Sequence, residues 1–160
     1  MSTALSTGAP QGALPKVENM RVAIVAAEWN GHITDALTRG ATQLFKQEGV
    51  DYDVYHVPGA VELTFAASQL IEASIYDAII VFGCVIRGGT PHFDYVCQSV
   101  TQGITSLNAD CDIPVIFGVL TVDNEQDALD RAGGQLGNKG TEAAEAAIKM
   151  HHFVCKVKDI

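Results

Sequence analysis

Cations are scarce in this chain of 160 residues: ten Lys and Arg stand against nineteen Asp and Glu, a formal net charge of −9. That balance provides no positive field for a nucleic-acid backbone and excludes nucleic-acid recognition as the working function. An anionic ligand would have to be held locally, by backbone amides or by a chosen arginine. Long apolar runs are also missing. No stretch approaches the ~20 apolar residues that span a bilayer, so no membrane partner is expected. The opening MSTALSTGAPQGALPKVEN has neither the basic start nor the continuous apolar segment of a secretion signal. Cys-x-x-Cys pairs are absent: Cys84, Cys97, Cys111 and Cys155 are scattered, with no histidine at metal-ligand spacing. Neither a metal site nor a disulfide framework is expected, and the compartment these absences imply is the reducing cytoplasm.

What is present is apolar and regularly punctuated. Hydrophobic residues make up 48% of the chain, enough for one domain to bury its core without staples. Residues 1–19, rich in small residues, Gly and Pro, predict a flexible N-terminal arm, and residues 20–160 a single domain. RVAIVAA from Arg21 reads as a buried strand, and Gly31 to Glu48 carries Ile33, Leu37, Ala41, Leu44 and Phe45 at helical spacing. Strands are predicted again at Asp53–Val57, DAIIVFGCVI and Pro114–Val122, and helices at Ala60–Ala73 and from His92 to about Asn108. A short helix capped by Asn124 runs to Arg131, a glycine-rich turn GGQLGNKG follows, and a last helix covers Thr141 to about Val154. Alternating strands and helices predict an α/β flavodoxin-like three-layer sandwich, a four-stranded parallel sheet with helices on both faces. Ligands in such sheets bind beyond the carboxyl ends of the strands. The segments there are AAEWNG, VPGAVE, CVIRGGTPH and FGVLTVDNE.

The stretch GCVIRGGTPHFDYV starts with the glycine spacing of a nucleotide phosphate loop, but Gly89 stands where that loop has its lysine. Thr90 and Pro91 read as a helix N-cap and first helical residue. With Gly88 and Gly89 ahead of them, backbone amides and the helix N-terminus form a site for one phosphate. A plain strand-to-helix turn is the competing interpretation. His92, in the first turn of that helix, is placed for general acid-base work near pH 7. Arg131 is a candidate second phosphate ligand, although a cation before Gly133 and Gly134 also complements its own helix dipole, and Lys139 carries the same ambiguity. Trp29, the sole tryptophan, follows the first strand, where a ring can stack on a planar heterocycle or pack into the core. Glu62 can cap its helix or accept from a hydroxylated ligand, and Phe117 reads as core.

Taken in order, VPGAVE, VIRGGTPHFDYV, PVIFGVLT and RAGG followed by GNKG closely resemble the 6,7-dimethyl-8-ribityllumazine synthase family over roughly Arg21 to Phe153. The resemblance implies condensation of 5-amino-6-(D-ribitylamino)uracil with 3,4-dihydroxy-2-butanone 4-phosphate to the lumazine, phosphate and water, the penultimate step of riboflavin biosynthesis. It implies no cofactor. His92 matches the proton-transfer histidine; Gly89, Thr90 and Arg131 match the phosphate ligands, with Arg87, Gly88 and Lys139 as additional candidates. Trp29, Ala60, Val61, Glu62, Cys84, Val85, Ile86 and Phe117 match residues around the ribitylaminouracil. In the family, Phe117 and Arg131 come from a neighbouring subunit. Trp29 stands where phenylalanine is common, and Val61 where many members have an aromatic. The larger ring of Trp29 implies stacking on flavins as well as substrate.

The resemblance further implies a homo-oligomer, a pentamer that in some members closes into a hollow icosahedral shell of sixty subunits. It also implies pairing of the N-terminal arm with a neighbour's sheet edge and association with riboflavin synthase. Two alternatives use the same residues: lumazine dismutation of the riboflavin synthase type, and a non-enzymatic module that binds a flavin or phosphate.

Overall fold

Arg21–Ala27 (β1) is buried at every position after its first, and a strand apolar on both faces can only sit inside a sheet covered on both sides. The computed structural model describes residues 12–158 and builds that sheet around it. β1 pairs in parallel with Asp51–Val57 (β2) on one side and with Ala78–Ile86 (β3) on the other, and β3 pairs in parallel with Val115–Val122 (β4). The order is β2-β1-β3-β4. Helices Gly31–Glu48 (α1), Glu62–Ala73 (α2) and His92–Asp110 (α3) connect successive strands, and Glu125–Arg131 (α4) and Lys139–Lys158 (α5) follow β4. The predicted α/β three-layer arrangement is the one observed.

Strand alternation divides the core. Val22, Ile24, Ala26, Ile80 and Phe82 face Leu37 and Phe45 of α1 and Ala144 and Ile148 of α5. Ala23, Val25, Ile79 and Val81 face Leu63 and Ala67 of α2 and Val100 and Ile104 of α3. Two covered faces make the inner strands apolar throughout, so they were easy to place from sequence. The edge strand β2 starts at Asp51, two residues before its predicted start, because an edge tolerates polar side chains such as Asp51 on its open side. Leu14 and Val17, inside the expected arm, rest against the α1/α5 core. Residues 1–11 of that arm lie outside the described residues.

The glycine-rich segment is more ordered than a turn. Ala132–Gly134 (β5) pairs with Gly137–Asn138 (β6) as a small antiparallel hairpin, with φ of 110° at Gly133 and 77° at Gly137. α5 therefore begins two residues before the expected Thr141. Asn138 explains the early start: its Oδ1 accepts from the Gly140 amide at 2.8 Å, and its Nδ2 donates to the Ala36 carbonyl of α1 at 3.0 Å. One side chain thus caps α5 and ties the hairpin to α1.

Because α1 and α3 lie on opposite faces, β1 and β3 leave the sheet toward opposite sides. Their carboxyl ends open a crevice at the switch point, where ligands of such sheets bind.

Candidate active site

The β1–β2 ladder continues past both strands. The Glu28 amide donates to the Val57 carbonyl at 2.8 Å, and the Trp29 amide to the Pro58 carbonyl at 3.0 Å. Trp29 is held by its backbone while its side chain stays 68% exposed, so core packing does not account for it. The indole edge lies on Gly59, where an added Cβ would come within 2.6 Å of Cζ3 and 3.1 Å of the Glu62 Oε2. Beyond Trp29, Asn30 adopts a left-handed φ of 57°, and its Nδ2 donates to the Cys84 carbonyl at 2.8 Å. That bond spans the crevice from β1 to β3. Asparagine is among the few residues that take this backbone cheaply, so Asn30 carries a signal that motif matching overlooked.

On β3, Cys84 is buried and Val85 and Ile86 are half-buried at the strand exit. Burial pushes the Cys84 thiol up to about 11, with the nearby charge of Glu125 adding to the effect. A thiol so placed is no nucleophile at neutral pH. Cys84 should therefore resist iodoacetamide at pH 7.5 while the more exposed Cys97, Cys111 and Cys155 react, as peptide mass mapping can check. Its folded value lies above the ordinary thiol value of 9.0. Its contribution to stability is thus complete below pH 9 and is lost as pH rises toward about 11.

Arg87 is engaged beside the site. Its Nε donates to Asp123 Oδ1 at 2.8 Å, its Nη1 lies 3.4 Å from Asp94 Oδ1, and the guanidinium sits 4.1 Å from the Phe93 ring centroid. These contacts pin the ends of β3 and β4 together and leave the turn itself to backbone chemistry. Gly88 and Gly89 meet nothing within 4 Å of a Cβ position, and neither has a positive φ. Local geometry therefore does not require glycine at either residue. Among the described residues no acceptor is bonded to the amides of Gly88, Gly89 or Thr90. α3 is counted from His92, with Pro91 rather than the expected Thr90 at its N-cap, φ −62°, and no side-chain cap bond; Thr90 Oγ1 stands 3.5 Å from the His92 amide, too far to cap the helix. His92 projects from the first turn of α3 and is exposed.

Trp29, Ala60, Val61, Glu62, Cys84, Val85, Ile86, Gly88, Gly89, Thr90 and His92 all follow or end β1, β2 or β3 at the carboxyl edge of the sheet, where contacts join Trp29 and Glu62 at Gly59 and Asn30 to Cys84. The other predicted residues are engaged elsewhere in the chain. Arg131 Nη1 donates to the Asp127 carbonyl of its own helix at 2.8 Å. Phe117 is half-buried and paired with Val81, five residues short of Ile86 in the register and so about 17 Å down the strand. Lys139 is nearly buried, with its Nζ 2.7 and 2.9 Å from the two Glu142 carboxylate oxygens. Unforeseen at the same end is His32, whose Nε2 lies 2.6 Å from Glu125 Oε1 and joins α1 to α4. No sequence spacing links those two residues.

Comparison with known proteins matches residues 19–154 to the family described as 6,7-dimethyl-8-ribityllumazine synthase. The 6,7-dimethyl-8-ribityllumazine synthase of Parabacteroides distasonis is 54% identical over 143 residues, covering 88% of this chain and 89% of that protein. The protein of the same name from Bacteroides fragilis is 55% identical over 138 residues, covering 84% of this chain and 96% of its own length. That of Micrococcus luteus is 53% identical over 131 residues, covering 81% and 82%.

Proposed function

Since the chain belongs to the 6,7-dimethyl-8-ribityllumazine synthase family, we propose that its strand-end group is the site of that family's condensation. The protein is a transferase of riboflavin biosynthesis that joins 5-amino-6-(D-ribitylamino)uracil to 3,4-dihydroxy-2-butanone 4-phosphate. The observation that carries the site is the turn at Gly88 and Gly89: glycine unneeded by the local backbone, open space above it, and amides just ahead of α3 that meet no acceptor among the described residues. Such a turn suits a phosphate.

In this assignment the phosphate of the butanone lies on Gly89 and Thr90, and the pyrimidine stacks on Trp29 beside Ala60, Val61 and Glu62. The substrate amine attacks the ketone and water leaves as the imine forms. Elimination then expels phosphate, and ring closure releases a second water. The substrate supplies its own nucleophile, which agrees with a Cys84 thiol held protonated. His92, one residue past the proline that starts the phosphate turn, moves protons beside the leaving group. His92→Ala should lower kcat about tenfold, because water replaces part of the proton transfer. Lumazine absorbance against a buffer blank measures it, and a rate equal to the blank for the unaltered protein would sink the assignment.

Phe117 and Arg131 complete the site from an adjacent copy, which makes the active form a homo-oligomer. Support comes from apolar side chains open on α2 and α3, where Phe65 and Tyr95 are 71% and 69% exposed. The assembly is a pentamer, the unit from which an icosahedral shell of sixty subunits would be built, and sedimentation distinguishes the two sizes. The protein works in the cytoplasm, and riboflavin synthase, which consumes the product, is its expected associate.

A further inference from the structure

We infer that Gly59 is a positioning residue: its missing side chain is the seat that sets the Trp29 ring at the mouth of the crevice. The inference rests on the reading of Trp29 as the stacking platform and adds what aims it.

Three observations converge. The backbone of Trp29 is clamped from both sides, by its own amide on the Pro58 carbonyl at 3.0 Å and by Asn30 on the Cys84 carbonyl at 2.8 Å. With the backbone fixed, only the side-chain torsions remain to place the ring. The Cε3–Cζ3 edge of the indole fills the space where a Cβ of residue 59 would stand. Finally, Gly59 is buried but has no positive φ, so its backbone conformation is open to any residue. The glycine is demanded by the ring, not by the turn.

The consequence separates aim from stability. An alanine Cβ cannot move, whereas the indole is the far end of a rotatable side chain that is 68% exposed. The ring yields by swinging outward, and the fold loses little. Glu62 Oε2 borders the same point, 3.1 Å from that Cβ position, so the displaced ring also changes the space between the stacking face and the carboxylate. A platform tilted away from the crevice weakens binding of the planar substrate and leaves the phosphate-bearing one unaffected.

The chain has one tryptophan, so its fluorescence reports this ring alone. In the full-length protein, Gly59→Ala should shift the emission maximum and raise acrylamide quenching while the melting temperature stays within about 2 °C. The KM for the aminouracil should rise about tenfold, with kcat and the KM for the butanone phosphate within about twofold. The decisive arm adds Gly59→Ala to Trp29→Phe, whose ring stops short of the Cε3–Cζ3 edge; there the same change should move KM less than about twofold. An unchanged emission spectrum and KM in Gly59→Ala would overturn the inference, as would an equal KM penalty in both backgrounds. Trp29→Ala tells the two readings apart. If it leaves the aminouracil KM untouched, the stacking role falls, while the emission of Gly59→Ala still decides whether Gly59 seats the ring.

Discussion

Arg131→Ala should slow the condensation about a hundredfold or more, a larger loss than His92→Ala, and the loss should fall on the butanone phosphate. Arg131 is the proposed cationic partner for a phosphate otherwise held by amides, in a chain whose net charge of −9 repels anions. Water substitutes partly for a proton carrier but not for a guanidinium fork, so positioning outweighs proton transfer here. In the single chain the guanidinium bonds to the Asp127 carbonyl one turn back, at the end of α4. A neighbour's site is where it would meet substrate. Mixing unfolded Arg131→Ala and His92→Ala chains and refolding them together tests that arrangement. If each site takes His92 from one copy and Arg131 from the next, random mixing leaves about a quarter of the sites with both, and that share of activity should return. No recovery in oligomers of normal size would place both residues in one chain's site.

The largest structural effect should come from Gly140→Ala. An added Cβ would run into the backbone of Leu37, with its carbonyl carbon at 2.5 Å and its Cα at 2.7 Å. Leu37 is fully buried on α1, and α5 crosses α1 at this point. No rotamer relieves a collision between a Cβ and a backbone, so the two helices must part. The expected cost is about 3 kcal/mol or more, lowering the melting temperature by roughly 6–12 °C for a domain of this size. Glycine to alanine in a helix is ordinarily stabilising, so the sign itself is diagnostic. Gly31→Ala, which meets nothing within 4 Å at the start of α1, serves as the control and should be neutral or slightly stabilising. A melting curve of Gly140→Ala that matches the wild type would contradict the close crossing.

The strands were legible because each inner one is a continuous apolar run, and the helices because their apolar residues recur at helical spacing. The phosphate turn was legible as a motif, since Gly88, Gly89, Thr90, Pro91 and His92 lie next to one another in the chain. The structure sharpened it by removing the local reason for the two glycines. Arg87 was another matter: in sequence it was one more cation beside the turn, and its engagement by Asp123 appears only when β3 and β4 are side by side. Asn138 was passed over in favour of Thr141 as a helix start because the Ala36 carbonyl it also serves belongs to a distant helix.

Sequence alone therefore determined the alternation of strands and helices, the sheet they make and the family to which the chain belongs. All of these depend on periodicity or on residues adjacent along the chain. Tertiary structure alone decided that Trp29 rests on Gly59, that Asn30 spans from β1 to β3, that Gly140 allows α5 to touch α1, and that Phe117 and Arg131 are engaged away from the strand-end group. The reason is physical: these are contacts between residues far apart in sequence, set by the packing distance of one element against another, and no local pattern of side chains records that distance.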